Sequence, residues 1–216
     1  MQYYDLSQSI ENDMIVYPGD PKPAINPAKG VPPPWRVSEI YFSTHTGTHI
    51  DAASHYVEKG MTIDQYPLER FLNTGVVVLL DGLEPDQAIE IKHIDKYLGM
   101  VPKGGVIALN TGWDRYWGKK LYLRHPYLSP GAAESLSLAG IGMVGIDALN
   151  VDSTYQETRH AHDILLGQNI LIVENLRGLT QLQPGELYRF AFLPLALRGL
   201  DGSPVRAVAW KELPSD

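Results

Sequence analysis

The strongest constraint on the fold is a series of short apolar runs, each closed by polar or turn residues. They occupy 75–80 before Asp81-Gly82, 106–109 before Asn110-Thr111-Gly112, 143–146 before Asp147, and 170–173 before Glu174-Asn175. Two more lie at 187–193 and 205–210. Runs of this length between turn signals read as buried strands. Several end on a polar residue, at the strand edge where mixed α/β proteins tend to bind ligands. Helical patterns lie between them. Over 86–98, Ile89, Ile91, Ile94 and Leu98 predict one buried helical face. Ser129 and Pro130 predict a helix N-cap and first turn, with a stop near Gly140. A third helix is expected over 159–166, ending at Gly167. The proline-rich stretch 17–35 cannot be regular helix and reads as an ordered loop or arm. No repeat and no shift of composition divides the chain. The expectation is therefore an α/β fold with a mixed β-sheet, in a single domain spanning 1–216.

A chain of 216 residues can build one sizeable core. Its net charge is −7 and no block of Lys or Arg appears, which argues against nucleic acid or an anionic membrane as partner. The absence of cysteine excludes disulfides, thiolate ligands and a cysteine nucleophile. Met1-Gln2-Tyr3-Tyr4-Asp5 carries no basic region followed by an apolar run, so no signal peptide is expected. The apolar stretches fall short of the roughly 20 residues that span a bilayer. The expected setting is the cytoplasm, with a small molecule as substrate.

Three of the seven histidines fall within 45–55. In an extended segment, His49 and Asp51 point to one face and Ile50 to the other. His45 lies four residues before His49, across Thr46-Gly47-Thr48. That spacer disfavours helix and favours a turn at Gly47 that folds His45 back. Two imidazoles and a carboxylate suit a divalent metal with an open position, Zn²⁺ or Mn²⁺ best, Fe²⁺ or Co²⁺ also. His55 is either a further ligand or an acid/base beside the metal, and the second role is favoured. Glu174 closes an apolar strand, where a carboxylate is unusual unless paired, ligating or emerging into solvent. His160 and His162 stand beside Asp163 as further candidates.

These residues resemble a known family. His45-Thr46-Gly47-Thr48-His49-Ile50-Asp51-Ala52-Ala53-Ser54-His55 is similar to the signature of the cyclase-like metal hydrolases, which include bacterial kynurenine formamidase (arylformamidase) and isatin hydrolase. Tyr17-Pro18-Gly19-Asp20, Asn110-Thr111-Gly112-Trp113, His162 with Leu165-Leu166, Glu174-Asn175-Leu176 and Gly202-Ser203-Pro204-Val205-Arg206 resemble further pieces in the same order. The resemblance implies a swivelling β/β/α fold in homodimers or higher oligomers. It implies one metal held by His45, His49 and Asp51. In members with two ions, His162 and Glu174 hold the second and Asp51 bridges. It places His55 in the acid/base position and selects His162 over His160 by spacing. Two departures bear on substrate: Ala53 stands where formamidases often have proline, and Tyr17 where they have tryptophan.

The activity so implied is metal-dependent hydrolysis of an amide or formamide, N-formyl-L-kynurenine foremost. The alternatives are a cyclic amide or lactone, or a metal-stabilised binding protein without turnover. Tyr17, Pro18, Gly19, Asp20 and Trp113 are the expected substrate contacts, with Trp35, Tyr116 and Trp117 as further aromatic candidates. Arg198 and Arg206 are more simply structural, and Glu157, Arg159 and Asp163 a solvated helix face.

Overall fold

The computed structural model describes residues 1–211. Twelve strands and three α-helices alternate along it: β1 (Gln2–Asp5), β2 (Ala24–Pro27), β3 (Ser38–Tyr41), β4 (His49–Asp51), β5 (Leu72–Leu79), β6 (Ala88–Ile89), α1 (Ile91–Leu98), β7 (Val106–Asn110), β8 (Tyr127–Leu128), α2 (Pro130–Leu138), β9 (Met143–Ile146), α3 (His160–Gly167), β10 (Leu171–Glu174), β11 (Leu187–Pro194) and β12 (Gly202–Lys211).

Eight strands form one sheet in the order β1-β12-β11-β5-β7-β9-β10-β4. The first residues of β12 also pair with β4, Gly202 opposite Asp51 and Pro204 opposite His49, so seven strands close into a ring. Strands β5, β7, β9 and β10 run parallel; the other neighbours are antiparallel. The mixed sheet expected from sequence is therefore present. Closure depends on Gly202: a Cβ there would lie 2.8 Å from the Ile50 carbonyl oxygen and 3.0 Å from the His45 ring.

Alternation along the strands divides the core in two. Val77, Val106, Ala108, Met143, Leu171 and Val173 point into the ring with Phe190 and Phe192. Val76, Val78, Ile107, Leu109, Val144, Ile146 and Ile172 point outward against the apolar faces of α1, α2 and α3. Parallel strands covered on both faces need unbroken apolar sequence, which is why these runs are so legible.

The elements differ from expectation at their ends. The first helix begins at Ile91, not Asp86. Asp86 has φ +56° and cannot start a helix. Glu90 and His93 then cap the helix reciprocally, and Ile89 is buried by pairing with Leu128 in β8. Helix α2 starts as expected, with the Ser129 hydroxyl accepting from Ala132 N–H at 3.3 Å. Helix α3 runs through Gly167, and the left-handed residue beyond it is Asn169. The proline-rich stretch contributes to an exposed antiparallel arm of β2 and β3. No helix among the described residues is long and apolar enough to cross a membrane.

Candidate metal centre

The site is built where β4 meets β10 on the outer face of the ring. Register places His49 opposite Glu174 and Asp51 opposite Ile172. Alternation therefore puts His49, Asp51 and Glu174 on one face and Ile50 in the ring interior, fully buried. Gly47 takes φ +65°, and the turn it makes returns His45 over the strand. His45 Nδ1 then lies 2.7 Å from Asp51 Oδ1. The Gly47 carbonyl is held by Asn175 Nδ2 at 3.0 Å and His49 Nδ1 at 2.9 Å.

His162 arrives from the first turn of α3. Its Nε2 is 3.6 Å from both Asp51 Oδ2 and Glu174 Oε1. His49 Nε2 is 3.4 Å from Asp51 Oδ1 and 3.5 Å from Glu174 Oε2. The neighbouring His160 turns away, its Nε2 2.7 Å from the Leu128 carbonyl oxygen. Asp152 explains the position of His162. Its carboxylate accepts from the backbone N–H groups of Ala161 and His162 at 3.0 and 2.9 Å, and from His162 Nδ1 at 2.8 Å. Val151 N–H holds Glu174 Oε1 at 2.9 Å.

These contacts set the tautomers. The Nδ1–H groups of His49 and His162 donate to Gly47 and Asp152, which leaves each Nε2 lone pair facing the carboxylates. The Nε2-to-carboxylate separations are too long for hydrogen bonds. They match the roughly 3.4 Å between neighbouring ligands of a tetrahedral ion with bonds near 2.1 Å. Asp51 Oδ2 is buried without a hydrogen-bond partner, which is costly for a carboxylate unless a cation completes it. The residues present fit a divalent metal.

Charge supports the same reading. Burial pushes Glu174 up, as does the charge of Asp51. Burial also opposes ionisation of Asp51, but His49 and His45 outweigh it and hold the carboxyl well below its usual range. Burial disfavours charge on His45, yet Asp51 and Asp201 carry its pKa to about 10. Burial opposes charge on His162 too, and Asp152, Asp51 and Glu174 raise it to about 10. The cluster demands positive charge, which protons or a metal would supply.

A cavity of about 230 Å³ opens above the cluster, lined by Tyr17, Asp20, His55 and Tyr56 beside the donors. His55 sits in a short 3₁₀ turn, with Nδ1 3.1 Å from Asp201 Oδ2. Tyr56 stacks on the His162 ring at 4.6 Å. Pro18 and Gly19 do not line the cavity. They form the exposed turn that carries Tyr17 and Asp20 to it, closed by Asp20 N–H to the Tyr17 carbonyl at 3.0 Å. Trp113, expected at the substrate, is instead a core residue, 1% exposed, its indole N–H on the Leu121 carbonyl at 3.3 Å. Burying the large ring against Tyr116, with centroids 4.9 Å apart, takes its apolar area out of water while the indole N–H keeps a partner. Trp35 is on the exposed arm, while Tyr116 and Trp117 pack against the core. Arg206 pairs with Asp5 at 2.9 Å, as a structural role requires.

Sequence reasoning missed Tyr56, Asp152 and Asp201. Tyr56 follows His55 directly. Asp152 lies in the polar segment after β9, and Asp201 precedes a glycine already noted. Each had a local signal, but none had a visible partner.

Comparison with known proteins agrees. Residues 4–153 match the Cyclase family, described as "Putative cyclase". A kynurenine formamidase of Geobacillus thermodenitrificans is 31% identical, with 97% of each chain covered. A solved structure described as a potential metal-dependent hydrolase with cyclase activity superposes with a TM-score of 0.83 at 27% identity, covering 99% of both chains. Isatin hydrolase A from Labrenzia aggregata, bound to benzyl benzoate, has a TM-score of 0.86 at 24% identity, covering 96% of this chain and 93% of its own, a likeness of fold. The chain belongs to the Cyclase family.

Proposed function

We propose that the chain is a metal-dependent hydrolase of a non-peptide C–N bond, converting N-formyl-L-kynurenine to L-kynurenine and formate. The observation that carries this reading is the buried, unpartnered Asp51 Oδ2 among converging donors beneath an open cavity. The full-length similarity to kynurenine formamidases supports the substrate. His45, His49 and Asp51 would hold one divalent ion, Zn²⁺ or Mn²⁺. His162 and Glu174 would hold a second, with Asp51 shared. Bound there, a divalent cation supplies Lewis acidity toward a carbonyl oxygen and lowers the pKa of water to about 7.

The chain's own residues do the rest. His55, held through Nδ1, keeps Nε2 free to take a proton from water and return it to the leaving aryl amine. Tyr17 and Tyr56 provide aromatic walls for a planar ring. Asp20, without a side-chain partner among the described residues, faces the substrate ammonium. We further assign the chain to the cytoplasm, as one domain and as a homodimer or higher homo-oligomer. The exposed Trp35, Val37, Ile40 and Tyr41 of the β2–β3 arm support association, and sedimentation at several concentrations tests it.

The test of activity is formate release from N-formyl-L-kynurenine by protein stripped of metal, then refilled with Zn²⁺ or Mn²⁺. Turnover that returns on refilling is expected. Tight metal binding with turnover of isatin or lactones alone would replace the substrate and keep the class. Metal binding with no hydrolysis of any of these would overturn the reading.

A further inference from the structure

Asp201, the residue immediately before β12, sits between two histidines of the site. Its Oδ2 accepts from His45 Nε2 at 2.9 Å and from His55 Nδ1 at 3.1 Å. Its Oδ1 accepts from the Thr44 hydroxyl at 3.0 Å, and its backbone carbonyl from Ala52 N–H at 2.9 Å. Both anchors belong to the segment that carries the histidines, so the carboxylate is held at a set place relative to them. The two rings lie with centroids 4.1 Å apart.

A ring nitrogen that donates to a carboxylate carries the proton, and the opposite nitrogen keeps its lone pair. For His55 the opposite nitrogen is Nε2, the atom needed for proton transfer. His45 is hydrogen-bonded at both ring nitrogens, Nε2 to Asp201 at 2.9 Å and Nδ1 to Asp51 Oδ1 at 2.7 Å, so for this ring Asp201 sets the orientation. One oxygen therefore sets both rings. Carboxylates behind ligating or basic imidazoles act in this way, fixing tautomer and orientation without touching substrate.

We propose that Asp201 is a positioning residue that fixes the orientation of His45 and the tautomer and orientation of His55, and so ties the proton-transferring histidine to the metal centre. Only the activity arm of its test rests on the formamidase reading.

The experiment uses Zn²⁺-loaded protein labelled with ¹⁵N-histidine, comparing wild type, Asp201→Asn and Asp201→Ala by long-range ¹H–¹⁵N correlation. The wild type is expected to show His55 in a single Nδ1–H tautomer, and Asp201→Ala a mixture. On N-formyl-L-kynurenine, Asp201→Ala should lose about 10- to 100-fold in kcat while KM moves less than about twofold. Asp201→Asn should fall between, because its amide oxygen still accepts but carries no charge. It also keeps the side chain's shape, so it carries the test if the alanine variant fails to fold. A single Nδ1–H tautomer at His55 in Asp201→Ala would overturn the proposal, as would wild-type kcat in Asp201→Ala or, if that variant fails to fold, in Asp201→Asn. If the wild type leaves N-formyl-L-kynurenine intact, the substrate reading fails and the tautomer comparison alone decides Asp201.

Discussion

At the scale of single residues, the difference between His160 and His162 is one of direction. Two positions apart in the first turn of a helix, they project about 200° apart around its axis, so only one can face the sheet. His162 does, and His160 meets the Leu128 carbonyl. His162→Ala should lose bound metal and more than about 100-fold in activity, whereas His160→Ala should retain its metal content; metal analysis beside the assay separates them. His55→Ala should keep metal yet lose about 10²- to 10⁴-fold in kcat, the usual span of general acid–base catalysis. Normal hydrolysis by that variant would remove the role assigned to His55. Asp20→Asn should raise KM for N-formyl-L-kynurenine and leave KM for plain formanilide unchanged, since the latter has no ammonium group.

At the scale of elements, the two outer helices compare usefully. Helix α2 is capped by its own neighbour, Ser129, whereas α3 is capped by Asp152 from the preceding loop, nine residues before Ala161. Ser129→Ala should cost about 1 kcal/mol of stability and leave turnover intact. Asp152→Ala removes the cap and the partner of His162 Nδ1 together, so stability, metal affinity and activity should all fall. Denaturant titration with metal analysis on both variants tests the contrast. If the two behave alike, the α3 cap has no share in the site. A local cap such as Ser129-Pro130 was legible in the chain. The distant one was not, because nothing in the eight residues between Asp152 and Ala161 says that the loop returns.

At the scale of the whole molecule, metal and proton should each couple to stability. A divalent ion bound only by the folded chain should add about 4 kcal/mol at a concentration 1,000-fold above its Kd. Chelation should therefore lower Tm, and an unchanged Tm would argue against a buried ion. Away from the site, His125 is buried between the Pro126 carbonyl and the Thr154 hydroxyl. Burial lowers its pKa from 6.5 to about 4. Between those values the unfolded chain binds a proton that the folded chain refuses. Stability is thus complete above pH 6.5 and declines as pH falls, by about 3 kcal/mol in all below pH 4. Urea titrations at pH 7, 5.5 and 4.5 should show a shallower acid decline for His125→Gln than for the wild type.

What the chain determined by itself was local. Apolar runs buried on both faces marked β5, β7, β9 and β10, and the spacing of His49 and Asp51 put both on one face of a strand. Gly47 announced the turn that returns His45. The tertiary structure decided what these residues meet. It closed the ring through Gly202, set Glu174 opposite His49, brought Asp152 under α3 and Asp201 between two histidines, and turned Trp113 into the core. Apart from the loop that returns Asp152, those outcomes depend on the register of strands and helices far apart in sequence. A partner 100 residues away leaves no periodicity at either end of the contact.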